Sequence, residues 1–366
     1  MSNRQLSGTA AACDLATTRE QLRQQFIDAN GYGSWRVEPL TADASFRRYF
    51  RLCGEKQQVL LMDAPPATED IASYLSIDAC LRSVQLRAPE ILAVDETNGF
   101  AVIEDFGVNT YTRLLNDGVA AEPLYRLAVT VLKTLHADLP TEALSVPHYS
   151  EGFYEDEAAL FMDWYWPAKT GALASSEMRQ QFMSLWESLL AGVSRQRECL
   201  VLRDYHVDNL MLLGDGGVED YLPKERCGIL DFQDALIGSP AYDLVSLFED
   251  ARRPVDQSMA KRLLEEYLSN FSDLDHDQFA YDYRVLGSHR HMKVIGIFVR
   301  LCVRDGKAHY LDYLPHVQRL LEHSLLHPAL QPLKLWLDQH HPGSVAEPLD
   351  FDCQQLRNLL GLSKAA

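Results

Sequence analysis

Two aspartates, a histidine and an asparagine crowd the stretch "LRDYHVDNLML", residues 202–212, as Asp204, His206, Asp208 and Asn209. Such a set suits a metal site, a general-base loop or a polar turn between buried segments. The next segment bears on the choice. Asp231 ends a second apolar run, in "GILDFQD". If 210–213 and 227–230 pair as a hairpin, their polar ends meet and Asp204, Asn209 and Asp231 converge. Two carboxylates and one amide oxygen are hard ligands, suited to Mg²⁺ that also holds phosphate oxygens. Phosphoryl transfer needs this set: one carboxylate takes the acceptor hydroxyl's proton, and two side chains hold metal ions that bridge the phosphates. A zinc or iron site on His206 and Asp208 is the rival, but no further His or Cys sits nearby at ligand spacing. The plain alternative is a polar turn capping two strands, and for Asp208 alone a loop hydrogen bond.

The elements that must position these groups can be outlined. Thr17 and Glu20 have capping-box spacing and start a helix that Gly31 ends, after a frayed tail. "SFRRYFRL" alternates, with Phe46, Phe50 and Leu52 on one face and Arg47, Tyr49 and Arg51 on the other. "QVLLMDA" returns as its partner strand, and a helix follows around 69–86. "PEILAVDETNGFAVIEDFG" predicts strand, Asn98-Gly99 turn, strand. Beyond Gly107 the period becomes helical: Leu124, Leu127, Val131 and Leu135 share a face, another helix falls around 176–195, and the chain from about 240 is mostly helical. The expected architecture is α+β and bilobal: a tail over 1–15, a small antiparallel-sheet lobe over 16–105 that binds nucleotide, and a large, mostly helical lobe over 106–366.

Composition limits the partners. With 366 residues and a net charge of −18, the chain has a surface that repels nucleic-acid phosphates and offers nothing to an anionic membrane. The longest apolar runs, such as "VIGIFV", are too short to span a bilayer. Seven scattered cysteines without a CxxC pair fit reduced thiols, and the first residues carry no apolar signal-peptide core. The expectation is a cytoplasmic, monomeric or weakly associating protein with no obligate protein partner.

"LRDYHVDNLMLL … GILDFQDA" resembles the catalytic core of the aminoglycoside phosphotransferase/choline kinase-like family, whose fold is protein-kinase-like. Its pattern is H-G-D-x-x-x-x-N followed by I-D-F/W. The resemblance spans roughly residues 20–330. It implies ATP and Mg²⁺, with Asp204 as catalytic base and Asn209 and Asp231 as metal ligands. It also implies that "AVIEDFG" is the hinge holding adenine, around Glu104 and Phe106, and that Asp243 in "GSPAYDLVSL" is structural. There are departures. The His-Gly before the base is Leu202-Arg203, the returning strand lacks its lysine, and no glycine-rich turn covers the phosphates. Ser45, Arg47, Arg48 and Arg51 are therefore the candidates for phosphate contact, with an exposed strand face as the plainer role for the arginines.

Several further blocks, "LMDAPP", "DFQDA" and 289–317 among them, are similar to the anomeric sugar kinases of bacterial cell-wall recycling. That narrower resemblance implies an amino-sugar substrate, N-acetylmuramic acid or N-acetylglucosamine, and a sugar α-1-phosphate product. Arg203, His206 and Gln233 then stand beside the acceptor. Trp164 and Tyr165 are a stacking platform for a pyranose face or else core aromatics. Arg290, Lys293, Arg300 and Arg304 form a cationic stripe if 288–304 is a helix, facing a carboxylate or solvent. His136 is expected to be structural and His340-His341 to lie on the surface. Two other readings stay open: an aminoglycoside- or choline-type small-molecule kinase, and a nucleotide-binding pseudokinase.

Overall fold

The computed structural model describes residues 7–40, 46–141, 144–219, 221–341 and 343–362, with the backbone alone at 7–17 and 151. The small lobe is a five-stranded antiparallel sheet in the order β1-β2-β3-β5-β4, from β1 (Arg36–Pro39), β2 (Arg48–Cys53), β3 (Gln58–Asp63), β4 (Ile91–Asp95) and β5 (Phe100–Glu104). Alternation splits the sheet into two faces. Leu52, Leu61, Phe100 and Val102 pack under Phe26 and Ile27 of α1 (Ser7–Ala29). Tyr49, Arg51, Leu60 and Ile103 look the other way, into a cleft. Helix α1 begins well before Thr17, because the alanines at 10–12 are strong helix formers and nothing there breaks the helix.

The predicted turn between β4 and β5 is present. Gly99 has φ +69°, and a Cβ there would collide with the Ala64 carbonyl, so only glycine fits. Helix α2 (Ile71–Ser83) is capped by Asp70, whose side chain accepts from Ala72 N–H. Asp105–Gly107 lead from β5 into the large lobe through α3 (Tyr111–Asn116).

The large lobe is built on buried helices. Helix α4 (Ala121–Asp138) buries Leu124, Leu127, Val131 and Leu135, the residues its spacing put on one face. Next come α5 (Glu151–Leu160), one π-helical turn at Phe161–Tyr165, α6 (Trp166–Thr170) and α7 (Ser176–Ala191). Two short antiparallel ribbons follow: β6 (Cys199–Val201) with β9 (Leu236–Gly238), and β7 (Leu210–Leu212) with β8 (Cys227–Ile229). Beyond them lie α8 (Ala241–Phe248), α9 (Gln257–Leu268), α10 (His276–Asp305), α11 (Leu314–Ser324), α12 (Gln331–His340) and α13 (Cys353–Leu359). Helix α10, 30 residues long, is the axis of this lobe. It comes close to the end of α5 at Gly296, where a Cβ would meet the Leu160 backbone. No helix of the described residues is long and apolar enough to cross a membrane, and the described cysteines are all free thiols.

Candidate active site

A cleft of about 640 Å³ lies between the two lobes, walled by the sheet on one side and α10 on the other. The β7–β8 ribbon brings its polar ends to the floor. Leu210 pairs with Ile229, so Asn209 and Leu230 meet just beyond, and Leu230 N–H donates to Asn209 O at 2.9 Å. The Asn209 side-chain amide donates to Asp204 O at 2.9 Å, which leaves its Oδ1 for the cleft. Asp231 turns into the cleft on a left-handed backbone, φ +56°. Its Oδ1 accepts from Gln233 Nε2 at 2.8 Å. Asp204, Asn209 and Asp231 therefore line one space, as the hairpin argument expects.

The donor set fits Mg²⁺. Asn209 Oδ1 and the Asp231 carboxylate are hard oxygen donors. Burial and then the repulsion of Asp204 raise the Asp231 carboxyl above its ordinary value, although Gln233 pulls it down. Among the described residues no group of three or more His, Cys, Asp or Glu stands at metal-holding geometry.

Asp204 keeps 48 % of its side chain open, so a substrate has access to it. Its setting is nonetheless deep, and burial pushes its carboxyl up. Arg290 and Lys293 foremost, with Arg203, outweigh that and hold it down at about 2. Arg290 Nη2 lies 3.8 Å from Asp204 Oδ1. Asp204 is thus ionised at neutral pH.

The loop carrying Asp204 is pinned from beneath. Asp243, fully buried on α8, accepts Leu202 N–H at 2.7 Å and Arg203 N–H at 2.8 Å. Burial lifts its carboxyl to about 7 against the pull of those two donors. Ser246 Oγ donates to Arg203 O at 3.0 Å and accepts from Arg290 at 2.7 Å.

Arg203 has φ +67°, a conformation that favours glycine, which is the residue the resembled pattern carries at this position. Its guanidinium turns away from the cleft to Glu157 Oε1 at 2.5 Å and Asp234 O at 3.1 Å. Glu157, on α5, also accepts from Lys293 Nζ at 2.6 Å and from the Tyr149 hydroxyl. Burial opposes the Glu157 charge, but Lys293, His289 and Arg203 hold its carboxyl down at about 2.

On the small lobe, Arg47 and Arg51 line the cleft. Arg47 pairs with Glu69 at 2.9 Å, and Arg51 with Asp105 at 2.5 Å. Arg48 does not reach the cleft. Alternation along β2 sends it to the opposite face, where it binds Asp63 at 2.8 Å alongside Arg19. Asp63, on the strand that lacks a lysine, is thereby part of the α1 contact. Ser45 lies outside the described residues. Glu104 and Phe106 line the cleft, and the Glu104 carboxylate holds Arg87 at 2.7 Å.

Other expectations need correction. Trp164 and Tyr165 sit on the π-helical turn and pack into the large-lobe core away from the cleft. The Tyr165 ring is fully buried against His341, itself buried and not on the surface. Arg300 is not brought to the cleft. At 3.6 residues per turn it points roughly 80° away from Arg290, whereas Ile297 and Leu301 stay within roughly 20° and do line the cleft. Arg304 pairs with Asp305 at 2.7 Å. Gln233 is buried and bonded to Asp231, so it supports the floor and is not a cleft-wall residue.

His206 lines the cleft in a form that burial pushes toward neutral, with its Nε2 3.3 Å from Arg252 Nη1. Asp208 accepts from the Thr112 hydroxyl, a loop hydrogen bond as expected. His136 is structural: it is buried, and its Nδ1 lies 2.8 Å from the Tyr267 hydroxyl. Glu157 and Arg252 are the residues sequence reasoning missed. Glu157 is one acid among several in "EGFYEDEAAL", and nothing in its spacing singles it out.

Comparison with known proteins supplies the family. The phosphotransferase enzyme family model matches residues 36–281. An N-acetylmuramate/N-acetylglucosamine kinase of Caulobacter vibrioides is 31 % identical over 90 % of this chain and 98 % of its own. One of the same name from Pseudomonas aeruginosa is 34 % identical over 78 % of this chain and 82 % of its own. In fold, the chain is similar to an ADP-bound aminoglycoside phosphotransferase, with TM-score 0.54 and 16 % identity over 82 % of this chain and 95 % of that one. With the core motif, the two-lobed fold and relatives matched along most of their length in agreement, the chain belongs to the phosphotransferase enzyme family and is a kinase that acts on a hydroxyl.

Proposed function

We propose that this kinase uses MgATP to phosphorylate the anomeric C1 hydroxyl of N-acetylmuramic acid and N-acetylglucosamine, giving the sugar 1-phosphate, in cytoplasmic recycling of peptidoglycan. The observation that carries the reading is the joining of Asp204, Asn209 and Asp231 to a cleft end bearing Arg290 and Lys293. The relatives named for both sugars support it.

In this reading the Asp204 carboxylate takes the proton of the C1 hydroxyl as its oxygen attacks the γ-phosphorus, and ADP departs. Arg290 keeps Asp204 ionised and aimed. Asn209 and Asp231 would hold Mg²⁺, which when bound neutralises charge on the phosphates. Arg47 and Arg51 stand in for the missing strand lysine. Glu104–Gly107 form the adenine hinge, where Phe106 N–H has no backbone partner among the described residues. The division into a nucleotide lobe over 16–105 and a catalytic lobe from 106 onward follows from these roles.

The cationic acceptor end disfavours aminoglycosides and choline, and the complete Asp204/Asn209/Asp231 set disfavours a pseudokinase. Incubation with MgATP and a panel of amino sugars, aminoglycosides and choline, followed by phosphorus NMR, tests the reading. An acid-labile anomeric phosphate on an amino sugar is expected. Transfer to choline or an aminoglycoside alone, or to nothing, would overturn it.

A further inference from the structure

We infer that Lys293 is the group that reads a carboxylate on the acceptor and so sets the preference between N-acetylmuramic acid and N-acetylglucosamine. The inference rests on the sugar-kinase reading above. The two sugars differ by a lactyl ether at C3, which ends in a carboxylate and is a short way round the ring from C1.

Three cationic side chains stand at the acceptor end of the cleft: Arg290, Lys293 and Arg252. Arg290 is committed to the base, 3.8 Å from Asp204, and to Ser246 at 2.7 Å. Arg252 lies 3.6 Å from Asp208, and its fork meets His206 at 3.3 Å. Lys293 is held differently. Its Nζ donates to Glu157 at 2.6 Å and to the Tyr242 hydroxyl at 3.4 Å. An ammonium has three donors, so one remains, and the residue lines the cleft.

Its position along α10 suits the task. Lys293 lies one helical turn beyond Arg290, about 5 Å along the helix surface. An acceptor with its reacting hydroxyl at Asp204 therefore presents neighbouring ring substituents to Lys293. The charge also suits it. Glu157 is shared between Lys293 and Arg203. Counting Arg290 and the nearby Asp204 as well, three cations face two carboxylates, which leaves a net positive charge around a side chain only 10 % exposed, where an anion is attracted with little screening. Glu157 fixes the ammonium in place without cancelling it.

The test compares kcat/KM for N-acetylmuramic acid, its lactyl methyl ester and N-acetylglucosamine, in the native enzyme and in Lys293→Met. Loss of one charge-assisted hydrogen bond corresponds to about 10- to 100-fold. The native enzyme is expected to prefer the acid over its ester by that factor, and Lys293→Met to lose the preference, whatever its absolute rate. Equal use of acid and ester by the native enzyme would overturn the inference, and this arm needs no folded variant. A preference that survives in Lys293→Met would also overturn it, by pointing to Arg252. If neither sugar is phosphorylated, the functional reading itself fails, which is distinct from phosphorylation without discrimination.

Discussion

Replacing Arg203 by glycine separates two contributions that the native residue combines. The backbone sits at φ +67°, where a side chain costs about 1–2 kcal/mol and glycine does not. Glycine returns roughly 0.5–1 kcal/mol of that through its greater freedom in the unfolded chain. Against this small gain stands the loss of the guanidinium bond to Glu157 at 2.5 Å, between side chains only 19 % and 8 % exposed. Glu157 keeps Lys293 and the Tyr149 hydroxyl, so it is not left uncompensated. The loss is therefore nearer the ~1.5–3 kcal/mol of a hydrogen bond to a charged group than the ~3–5 kcal/mol of an orphaned buried charge. The net expectation is destabilisation by about 1–2 kcal/mol. Arg203→Ala loses the same bond and keeps the strain, so it should be less stable than Arg203→Gly by up to about 1 kcal/mol. Urea denaturation of the three proteins gives both differences. Turnover should fall about 10-fold or more in both variants, because the loop carrying Asp204 loses its tie to α5. Equal stability of the glycine and alanine variants would refute the strain argument. Full turnover in Arg203→Gly would refute the positioning argument.

Other tests address the site directly. Asp204→Asn should lower kcat at least ~10²-fold with the melting temperature little changed, and near-native turnover would remove Asp204 as the base. Asp231→Ala should abolish Mg²⁺-dependent nucleotide binding, so an unchanged ATP affinity in calorimetry would contradict its role. Arg47→Ala should raise the KM for ATP by about 10-fold or more, while Arg48→Ala should leave it near native, since Arg48 faces Asp63 behind the sheet; equal effects would refute the division of the two faces. The Glu157 carboxyl is held down at about 2, below its unfolded value near 4.3. Its stabilising contribution is therefore complete above about pH 4.3 and fades as pH falls toward 2. Glu157→Gln should flatten that part of the acid limb in denaturation measured against pH, and an unchanged limb would refute the pairing.

The parts of the fold legible in the sequence were those with a short period. Alternation in "SFRRYFRL" separated Arg47, Tyr49 and Arg51 from Phe50 and Leu52, and the same alternation put Arg48 on the wrong face for a phosphate. The hairpin assumption brought Asn209 to Asp231 because two antiparallel strands leave their ends nowhere else to go. The helical stripe was only half legible. Arg290 and Lys293 reach the cleft, but over ten residues the 3.6 period carries Arg300 off the face. For Trp164 and Tyr165 the core alternative holds and the sugar platform does not, and the π-helical turn that carries them, which shifts every side chain on it, has no signal in composition. Glu157 was illegible for another reason. Its role comes from three partners distant in sequence, Arg203, Lys293 and Tyr149, and no local pattern encodes such a meeting.

That meeting point is one of several anchors that hold two neighbouring loops rigid, one with left-handed Arg203 after β6 and one with left-handed Asp231 after β8. Phosphoryl transfer is mostly positioning, so the base, Asp204 in the proposed reading, must be held before substrate arrives. Here each unfavourable backbone conformation is matched by side-chain bonds. Asp243 takes both N–H groups of Leu202 and Arg203, Ser246 takes the Arg203 carbonyl, and Asn209 takes the carbonyl of Asp204. On the other side Gln233 holds the Asp231 carboxylate. These anchors come from α8 and from the loops' own ends, and Glu157 ties the Arg203 loop to α5 and α10. The large lobe therefore presents Asp204 and Asp231 from a fixed frame. In the proposed reading the small lobe meets that frame from across the cleft, through Arg47, Arg51 and Glu104–Gly107, so the phosphates are held from one side and the base from the other.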